Sequence, residues 1–405
     1  MENLREQRGQ DIAKVAILGR MSDGTWEVPS MSGNGKYIVN PKVGTCTCPD
    51  CEKGNKCKHI FAVEVVMKRQ TTRHADGSTT VTESVSISAT KRPTYTQDWP
   101  AYNAAQTNEQ DEFQNLLRDL CSSIRNAPQS GRGRPKLPMS DVIFAAVFKV
   151  YSTMSGRRFT SDLRNAHEDG TISTMPHYNS IFRYLENIEM TPILNNMIAE
   201  TAKPLAAIES DFAADSTGFA SSRFVRWFDH KYGVVKQSHD WVKVHIMCGV
   251  KTNVVTAVEI HERNAHDSVQ LPALLETTAK NFKMMEVSCD KGYSDRRSHD
   301  AIAQYGATPF INFKKCSADG QKGVWGKMYH FFKYKQDEFM AHYHKRSNVE
   351  STFSMIKAKF GDAVRSKTDV AMKNEALCKL LAHNICCLIS AMYELGIDPK
   401  FQSAA

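Results

Sequence analysis

The chain has 405 residues, which is enough for two to four domains and for a large hydrophobic core. Hydrophobic residues make up 41% and charged residues 24%, a composition typical of soluble globular proteins. Lys and Arg total 52 against 44 Asp and Glu, and the net charge of +8 has the sign that favours a polyanionic partner. A slightly basic surface would give the same excess, so charge alone does not decide between the two.

The sequence contains no segment that we expect to cross a membrane, and no signal peptide. The longest uncharged apolar stretch, 380–393, is short for a membrane span and contains His383 and Asn384. The N-terminal residues MENLREQRGQD are charged throughout and lack an apolar segment. We therefore expect a cytoplasmic protein, in which the eleven cysteines do not form a disulfide framework.

In chain order, four regions differ in pattern. Residues 1–67 form a compact unit, with two short strands (WEV and YIV), a cysteine cluster and the helix HIFAVEVVMKR. Residues 68–110 are rich in Thr, Ser, Asp, Asn and Gln and indicate a linker, with one β-like piece in TTVTESVSIS. Residues 111–204 have helical periodicity, and residues 205–398 alternate strands and helices in an α/β pattern.

Four cysteines fall within the twelve residues 46–57, and His59 follows closely. Cys46 and Cys48 form a C-x-C pair, and Cys57 and His59 form a C-x-H pair at the start of the predicted helix. Three thiolates and one imidazole suit a structural, tetrahedral zinc site. Cys51 is also at ligand spacing from Cys48, so the residues alone leave its role open.

The order of strands, C-x-C, C-x-H and helix resembles the SWIM zinc finger over residues 20–67. That family's pattern assigns the zinc ligands to Cys46, Cys48, Cys57 and His59 and leaves Cys51 free. The resemblance implies that this region binds DNA or protein.

Three acidic residues in the α/β region lie at the ends of predicted strands or in a predicted helix. Asp215 closes the strand-like segment DFAAD, Asp290 ends the strand MMEVSCD, and Glu350 lies in the helix HKRSNVESTFSMIK. Carboxylates at the ends of strands meet at one edge of a sheet, where they repel one another and attract divalent cations. A single Asp after a strand is more often a turn residue or a helix N-cap. We interpret Asp267, in the motif HDS, as a helix N-cap.

The helix that bears Glu350 carries the pattern Y-x2-R-x3-E-x6-K, formed by Tyr343, Arg346, Glu350 and Lys357. Offsets of three, four and seven place all four residues on one face of a helix. A solvated charged face would explain the charges, but not the DST and DKGYSD motifs that precede it. DST, DKGY and Y-x2-R-x3-E-x6-K in this order resemble the DDE transposases of bacterial insertion sequences that carry the YREK signature. The similarity extends over about residues 95–395.

This resemblance implies an RNase H-like core with Asp215, Asp290 and Glu350 as ligands of Mg²⁺ or Mn²⁺, and with Tyr343, Arg346 and Lys357 near DNA. It implies a nucleoid-associated enzyme that binds double-stranded DNA, as a homodimer, cuts the inverted-repeat ends of a mobile element and joins their 3′-OH groups to target DNA. A nuclease of the same fold without strand transfer, or a domesticated DNA-binding regulator, are the alternatives.

The basic helical region offers candidate DNA contacts outside the acidic site. Arg132 and Arg134 in GRGRPKLP can enter a narrow minor groove, although a basic loop before a helix explains them equally well. The segments SGRRFTSDL and PHYNSIFRYL can form a helix-turn-helix-like pair, with Tyr178, Asn179 and Arg183 toward DNA.

Overall fold

A computed structural model of the chain describes residues 2–16, 18–30, 35–73, 79–85, 97–126, 136–221, 241–261, 266–314 and 322–401. It divides into two compact units, Met1–Thr96 and Gln97–Ala405.

The first unit is built around a small antiparallel sheet with the strand order β1-β2-β3-β4. Its core contains Trp26, Val28 and Val39 from the strands and Ile60 and Val63 from a helix. The elements are α1 Glu2–Val15, β1 Gly19–Arg20, β2 Trp26–Pro29, β3 Lys36–Asn40, β4 Thr45–Cys46, α2 Pro49–Glu52, α3 Lys58–Val66, β5 Met67–Arg73 and β6 Thr79–Val85.

Helix α1 was not predicted, because most of its residues are polar and only a narrow stripe is buried. Gly9 and Ile12 are buried in that stripe, and α1 packs on α3. A Cβ atom on Gly9 would lie 2.5 Å from the Cβ of Phe61. The absence of a side chain at Gly9 therefore allows the two helices to approach closely.

The predicted linker 68–110 contains regular structure, including a strand at the β-like piece expected in TTVTESVSIS. Strands β5 and β6 pair antiparallel over their full length, since alternating Thr and Val favour a strand. Helix α4, Trp99–Thr107, then begins inside the predicted linker. Asp98 caps α4 by accepting a hydrogen bond from the Ala101 amide, and α4 packs against the last helix of the chain.

The second unit begins with six helices that share one hydrophobic core with the sheet that follows them. The predicted helical region is therefore not a separate compact unit. The six helices are α4, α5 Glu109–Ser122, α6 Met139–Ser152, α7 Gly156–Glu168, α8 Tyr178–Leu185 and α9 Met190–Ala202.

The sheet of the second unit has the strand order β11-β10-β7-β8-β9. Strands β7, β8 and β9 are antiparallel neighbours, and β10 runs parallel to both β7 and β11. The elements are β7 Asp211–Ala220, β8 Trp241–Gly249, β9 Val255–His261, α10 Asp267–Ala279, β10 Glu286–Cys289, α11 Arg296–Gln304, β11 Thr308–Ile311, α12 Gly323–Tyr334, α13 Gln336–Tyr343, α14 Ser347–Phe360 and α15 Asp369–Leu395.

Helices α10 and α14 cover opposite faces of this sheet. Ser216 on β7 contacts Asp267 at the start of α10, whereas the next residue, Thr217, contacts Lys357 on α14. Successive side chains of a strand point to opposite faces, so the two helices lie on different sides.

Asp215 lies inside its strand rather than at its end, which corrects the sequence interpretation. Strand β7 pairs with β10 only as far as Ala214, but it continues along β8 to Ala220. The hydrophobic pattern of DFAAD corresponds to the part of β7 that pairs with β10 on one side and with β8 on the other. Asp215 therefore sits where the parallel part of the sheet stops.

An aromatic insertion joins β11 to the Glu350 helix and was not predicted. Helices α12 and α13 fold over β11 around a small separate core. Its buried members are Phe310, Phe313, Trp325, Met328 and Phe339.

By length and composition, α15 is the one helix among the described residues that could cross a membrane. However, 72% of its most apolar window is buried inside the fold, as in a core helix.

Candidate active site and metal centre

Two pairs of carboxylates lie one after the other along strands β7 and β10. Asp211 and Glu286 are partners in the parallel register. Four residues further along the chain come Asp215, within β7, and Asp290, the first residue after β10. Because a strand repeats every two residues, an offset of four keeps each second carboxylate on the same face as the first.

Lys345 bridges the two carboxylates of the first pair. Its Nζ atom lies 2.7 Å from Asp211 Oδ2 and 2.7 Å from Glu286 Oε2. His342 Nδ1 lies 2.9 Å from the other Glu286 oxygen, and its ring stacks on Phe310. These contacts anchor the chain before α14 to the starts of both strands.

Arg346 lies among the three predicted catalytic carboxylates. Its Nη2 atom is 2.6 Å from Glu350 Oε1 and 3.6 Å from Asp215 Oδ2, and its Nε is 3.4 Å from Asp290 Oδ1. The structure therefore brings Asp215, Asp290 and Glu350 together around one guanidinium group. The contacts to the two aspartates are looser than those of Lys345 with the first pair.

The three carboxylates differ in exposure. The Asp290 and Glu350 side chains are 44% and 56% exposed, whereas that of Asp215 is 19% exposed. Burial raises the pKa of Asp215 to about 6, and the charges of Asp290 and Asp267 act in the same direction. The Ser216 amide and Arg346 oppose the shift. A divalent cation would favour the ionised form of this carboxylate.

The four residues of the Y-x2-R-x3-E-x6-K pattern do not share one continuous α-helix. Tyr343 ends α13, Arg346 lies in the 3₁₀ turn His344–Arg346, and Glu350 and Lys357 belong to α14. Tyr343 is half-buried and stacks on Phe339, and burial raises the pKa of its hydroxyl.

Lys357 faces β7, two turns along α14 from Glu350. Its Nζ atom donates a hydrogen bond to Thr217 Oγ1 at 2.6 Å and lies 5.6 Å from the centre of the Phe219 ring. Thr217 is two residues from Asp215 on the same strand face, so Lys357 extends the row of cations along β7.

Asp267 is a fourth acidic residue near the site, and its interpretation as an N-cap is wrong. His266 occupies the N-cap position, and Asp267 is the first residue of α10. Its Oδ1 atom accepts a hydrogen bond from Ser216 Oγ at 3.0 Å and lies 2.6 Å from Lys243 Nζ. In the sequence, only the HDS motif draws attention to Asp267. No spacing rule predicts that this motif contacts the DST motif.

The predicted helix-turn-helix-like pair corresponds to α7 and α8. Asn179 and Arg183 on α8 are exposed, and Tyr178 is partly exposed. Nine residues separate the two helices, more than the three to four typical of that motif. Arg132 and Arg134 lie outside the described residues.

The second candidate site is in the first unit, where Cys46, Cys48, Cys57 and His59 converge. Their candidate ligand atoms all lie within 4.8 Å of one another, and all four residues are buried. Cys46 lies at the end of β4, whereas Cys57 and His59 lie at the start of α3. His59 Nδ1 is 3.8 Å from Cys46 Sγ, so the imidazole faces the thiols.

Cys51 takes a different role from these four. The Cys46 amide donates a hydrogen bond to Cys51 Sγ at 3.2 Å, which holds the loop around the cluster. A hydrogen bond from the Cys46 thiol lowers the pKa of Cys57 to about 3 and raises the pKa of Cys46. A thiolate at Cys57 is the form that binds metal.

Each donor set fits the metal expected from the sequence. Oxygen atoms of Asp215, Asp290 and Glu350 suit Mg²⁺ or Mn²⁺, and their exposure leaves room for water and phosphate ligands. Three sulfurs and one nitrogen within 4.8 Å of one another suit Zn²⁺ without an open position, because tetrahedral Zn–S bonds place sulfurs about 3.8 Å apart.

Comparison with known proteins locates the carboxylate site in a recognised domain. Residues 207–385 match the family model described as the transposase DDE domain. This segment is less than half of the chain, but it contains Asp215, Asp290 and Glu350. The match supports a DDE transposase and, more generally, a transposase or nuclease activity.

Two individual proteins are also similar. An uncharacterized protein of Aquifex aeolicus (strain VF5) is 28% identical over 148 residues, which cover 36% of this chain and 45% of that protein. The chain thus spans less than half the length of this relative. The piggyBac transposase, in a cryo-EM synaptic complex with hairpin DNA, aligns with 82% of this chain and 79% of its own at 11% identity and a TM-score of 0.32. At this TM-score the likeness does not define a shared fold.

Proposed function

We propose that this chain is a transposase that uses an RNase H-like core and two Mg²⁺ or Mn²⁺ ions held by Asp215, Asp290 and Glu350. The observation that carries the proposal is the convergence of these carboxylates on Arg346, inside the segment that matches the transposase DDE domain. The sheet supports the core assignment, because three antiparallel strands continue into two parallel ones beside Asp215.

Bound cations would activate the attacking oxygen and stabilise the leaving oxygen of a phosphodiester displacement. The residues of the chain do the rest. Asp215, Asp290 and Glu350 would hold these cations and so set where the phosphate can bind, and Arg346 and Lys357 supply positive charge for the DNA backbone. Tyr343 offers an aromatic ring and a hydroxyl group for a flipped base or a phosphate. Water is the first nucleophile, and the released 3′-OH is the second.

DNA recognition is assigned outside the carboxylate site, since metal-bound phosphate carries no sequence information. Within the helical region 111–204, Tyr178, Asn179 and Arg183 on α8 are candidates for reading the inverted repeats, and their exposure supports this role. Arg132 and Arg134 are candidates for the minor groove. A homodimer on double-stranded DNA, located with the nucleoid in the cytoplasm, would let two copies hold the two element ends.

The Cys46–His59 region is proposed to be a SWIM-type zinc finger within residues 1–67, with Cys46, Cys48, Cys57 and His59 as the ligands. The Cys₃His geometry and the antiparallel strands followed by α3 support this assignment. The finger would bind DNA or protein, whereas residues 205–398 would catalyse the reaction.

Cleavage and strand transfer on DNA that carries the element's own ends, with and without Mg²⁺, test the proposal. We expect Mg²⁺-dependent 3′-OH release, followed by joining to target DNA. Cleavage without joining of pre-cut ends would instead favour a nuclease. Binding without any cleavage would favour a DNA-binding regulator and contradict the proposal.

A further inference from the structure

Five polar side chains on α15 are almost fully buried. One of them, His383, bonds to the Asn253 carbonyl, and the other four fall into two groups by what they contact. Asn374 bonds to the Leu185 and Asn187 carbonyls after α8, and Asn384 bonds to both backbone groups of Val255 on β9. These two attach α15 to the surrounding core. The other two, Glu375 and Lys379, form hydrogen bonds with the end of the Glu350 helix and with the short segment that follows it. Lys379 Nζ also lies 5.3 Å from the centre of the Phe219 ring on β7.

Lys379 holds the carbonyl end of α14. It is 2% exposed, and its Nζ atom donates hydrogen bonds of 2.8 Å to the carbonyls of Phe360, Gly361 and Ala363. A lysine ammonium has three N–H donors, so all of them have a partner. The last carbonyls of a helix lack partners within it, and a cation there also favours the helix dipole.

Glu375, one turn before Lys379, holds the amide groups that come next. It is 4% exposed and accepts hydrogen bonds from the amides of Arg365 at 2.9 Å and Ser366 at 2.8 Å. Carbonyls at one end of the segment and amides at the other are therefore fixed by opposite charges on the same helix.

The segment between these anchors also touches the strand that bears Asp215. The Ala220 amide donates to the Asp362 carbonyl at 3.2 Å, and the Val364 amide donates to the Ala220 carbonyl at 2.9 Å. Ala220 is the last residue of β7, five residues after Asp215. Gly361, with φ of 84°, provides the turn from α14 into this pairing.

We propose that Glu375 and Lys379 are positioning residues that set the distance between Glu350 and Asp215. They act through the segment 360–366, which continues the Glu350 helix at one end and pairs with the end of the Asp215 strand. This inference rests on the proposed function of the carboxylate site and extends it to two residues outside that site.

Energetics favour a geometric role over a purely stabilising one. Burying two charged groups costs solvation, and well-packed apolar residues in their place are often equally stable or more so. Directed bonds to five backbone groups, by contrast, fix the axial position and rotation of α14. Metal ligands must be held within about 0.5 Å of their productive geometry, so a small shift of α14 would separate Glu350 from Asp215.

The test measures Mn²⁺ affinity of the full-length, zinc-loaded chain by electron paramagnetic resonance of free Mn²⁺. Glu375→Gln/Lys379→Met removes both charges at once, so neither remains buried alone. Asn384→Leu is the matched control, because it deletes buried bonds on the same helix that lead to β9 instead of α14. Thermal unfolding is measured for each variant.

We expect the double variant to weaken Mn²⁺ binding about tenfold or more, the size of effect typical of residues that support metal ligands. Asn384→Leu should lower the unfolding midpoint yet keep the Mn²⁺ affinity within about twofold of wild type. A folded double variant that binds Mn²⁺ like wild type overturns the inference. If the double variant does not fold, Lys379→Arg keeps the charge but displaces the segment, and unchanged affinity in that variant overturns the inference equally.

Failure of the proposed function has a different outcome. In that case, Asp215→Asn would bind Mn²⁺ no more weakly than wild type does, and this result would not depend on the α15 variants. Loss of binding in Asp215→Asn together with unchanged binding in the α15 variants rejects only the positioning role.

Discussion

The two carboxylate pairs on β7 and β10 have similar chemistry but different surroundings. Asp211 and Glu286 share one ammonium, that of Lys345, at 2.7 Å from each. Asp215 and Asp290, four residues further on, face a guanidinium at 3.4–3.6 Å, which also contacts Glu350. The first pair is a closed ionic contact that anchors the fold. The second has three negative charges against one positive charge, which leaves capacity for further cations.

Adjacent residues of one 3₁₀ turn supply the two cations. Lys345 reaches the first pair and Arg346 reaches the second, so a single short turn carries both an anchor and a functional group. Position along the strand, rather than residue type, thus separates structural carboxylates from candidate catalytic ones. Substitutions in the two pairs should therefore have different effects.

The largest expected difference is in cleavage. Asp215→Asn, Asp290→Asn and Glu350→Gln should each reduce DNA cleavage by roughly 10³-fold or more, because each removes a ligand for the cations that stabilise the transition state. DNA end-binding should persist. Asp211→Asn is the matched control, and its folded fraction should cleave at close to the wild-type rate. Comparable losses in Asp211→Asn and Asp215→Asn would erase the distinction between the pairs.

The cysteine–histidine cluster differs from the carboxylate site. Its candidate ligands are buried, and in the contacts described above no side-chain cation occupies them as Arg346 occupies the carboxylates. Chelation of zinc, or Cys57→Ser, should unfold residues 1–67 of the first unit, because a segment of this length with a small core depends on the metal for folding. The second unit has its own core and should remain folded. Zinc content and limited proteolysis measure both effects. The zinc-finger assignment would be contradicted if the wild-type protein contained no zinc, or if chelation left the first unit equally resistant to protease.

A smaller effect concerns stability. The pKa of Asp215 rises from 3.8 to about 6, so its proton is held more tightly in the folded chain than in the unfolded one. As pH increases from 3.8 to 6, the unfolded chain loses this proton first, and folding becomes less favourable by about 3 kcal/mol.

Asp215→Asn should therefore stabilise the second unit by up to about 3 kcal/mol at pH 7.5, with roughly half of the gain remaining at pH 5. Asp211→Asn should instead destabilise it, since Lys345 loses a partner. Urea unfolding without added divalent cation measures both. A destabilised Asp215→Asn at pH 7.5 would mean that Asp215 supports the fold in the same way as Asp211.

The sequence predicted the chemical groups better than their arrangement. Asp215, Asp290 and Glu350 were chosen as candidates from the ordered DST, DKGY and Y-x2-R-x3-E-x6-K motifs and from the hydrophobic periods of the segments around them. The role of Asp211 could not be predicted, since it depends on the register between β7 and β10, and register is a property of pairing between distant segments. The same limit applies to Asp267, whose contacts with Ser216 and Lys243 join three elements.

The packing around the Glu350 helix was less predictable still. Helices α12 and α13 are rich in aromatic residues without a clean helical stripe, because they pack against each other and β11 on several sides. Glu375 and Lys379 on α15 resemble an ordinary exposed i,i+4 pair in sequence. Only the fold shows that both are buried against the segment after α14.

Arg346 is expected to weaken metal binding at the second carboxylate pair. Its guanidinium contacts the same carboxylates that a cation would need, so Arg346→Gln should strengthen Mn²⁺ binding by about fivefold, equivalent to roughly 1 kcal/mol of lost competition. Cleavage should nevertheless fall, because the DNA backbone loses a positive contact. Lys357→Gln is the control, and its Mn²⁺ affinity should not change. Weaker Mn²⁺ binding in Arg346→Gln would show that the guanidinium organises the carboxylates instead of competing for them.

The smallest expected effect is on DNA affinity and comes from Lys357, the cation next along the same strand face. Its Nζ atom bonds to the neutral Thr217 hydroxyl, and the negative charge of Asp362 also acts on it. The positive charge that remains can act on a phosphate near Asp215. Lys357→Gln should lower the slope of log affinity against log salt by roughly one. Lys345→Gln should leave the slope unchanged, because Asp211 and Glu286 already neutralise that ammonium. Titrations of DNA binding over a range of salt concentrations measure the slope, and equal slopes for wild type and Lys357→Gln would place Lys357 with Lys345 among the anchors of the fold.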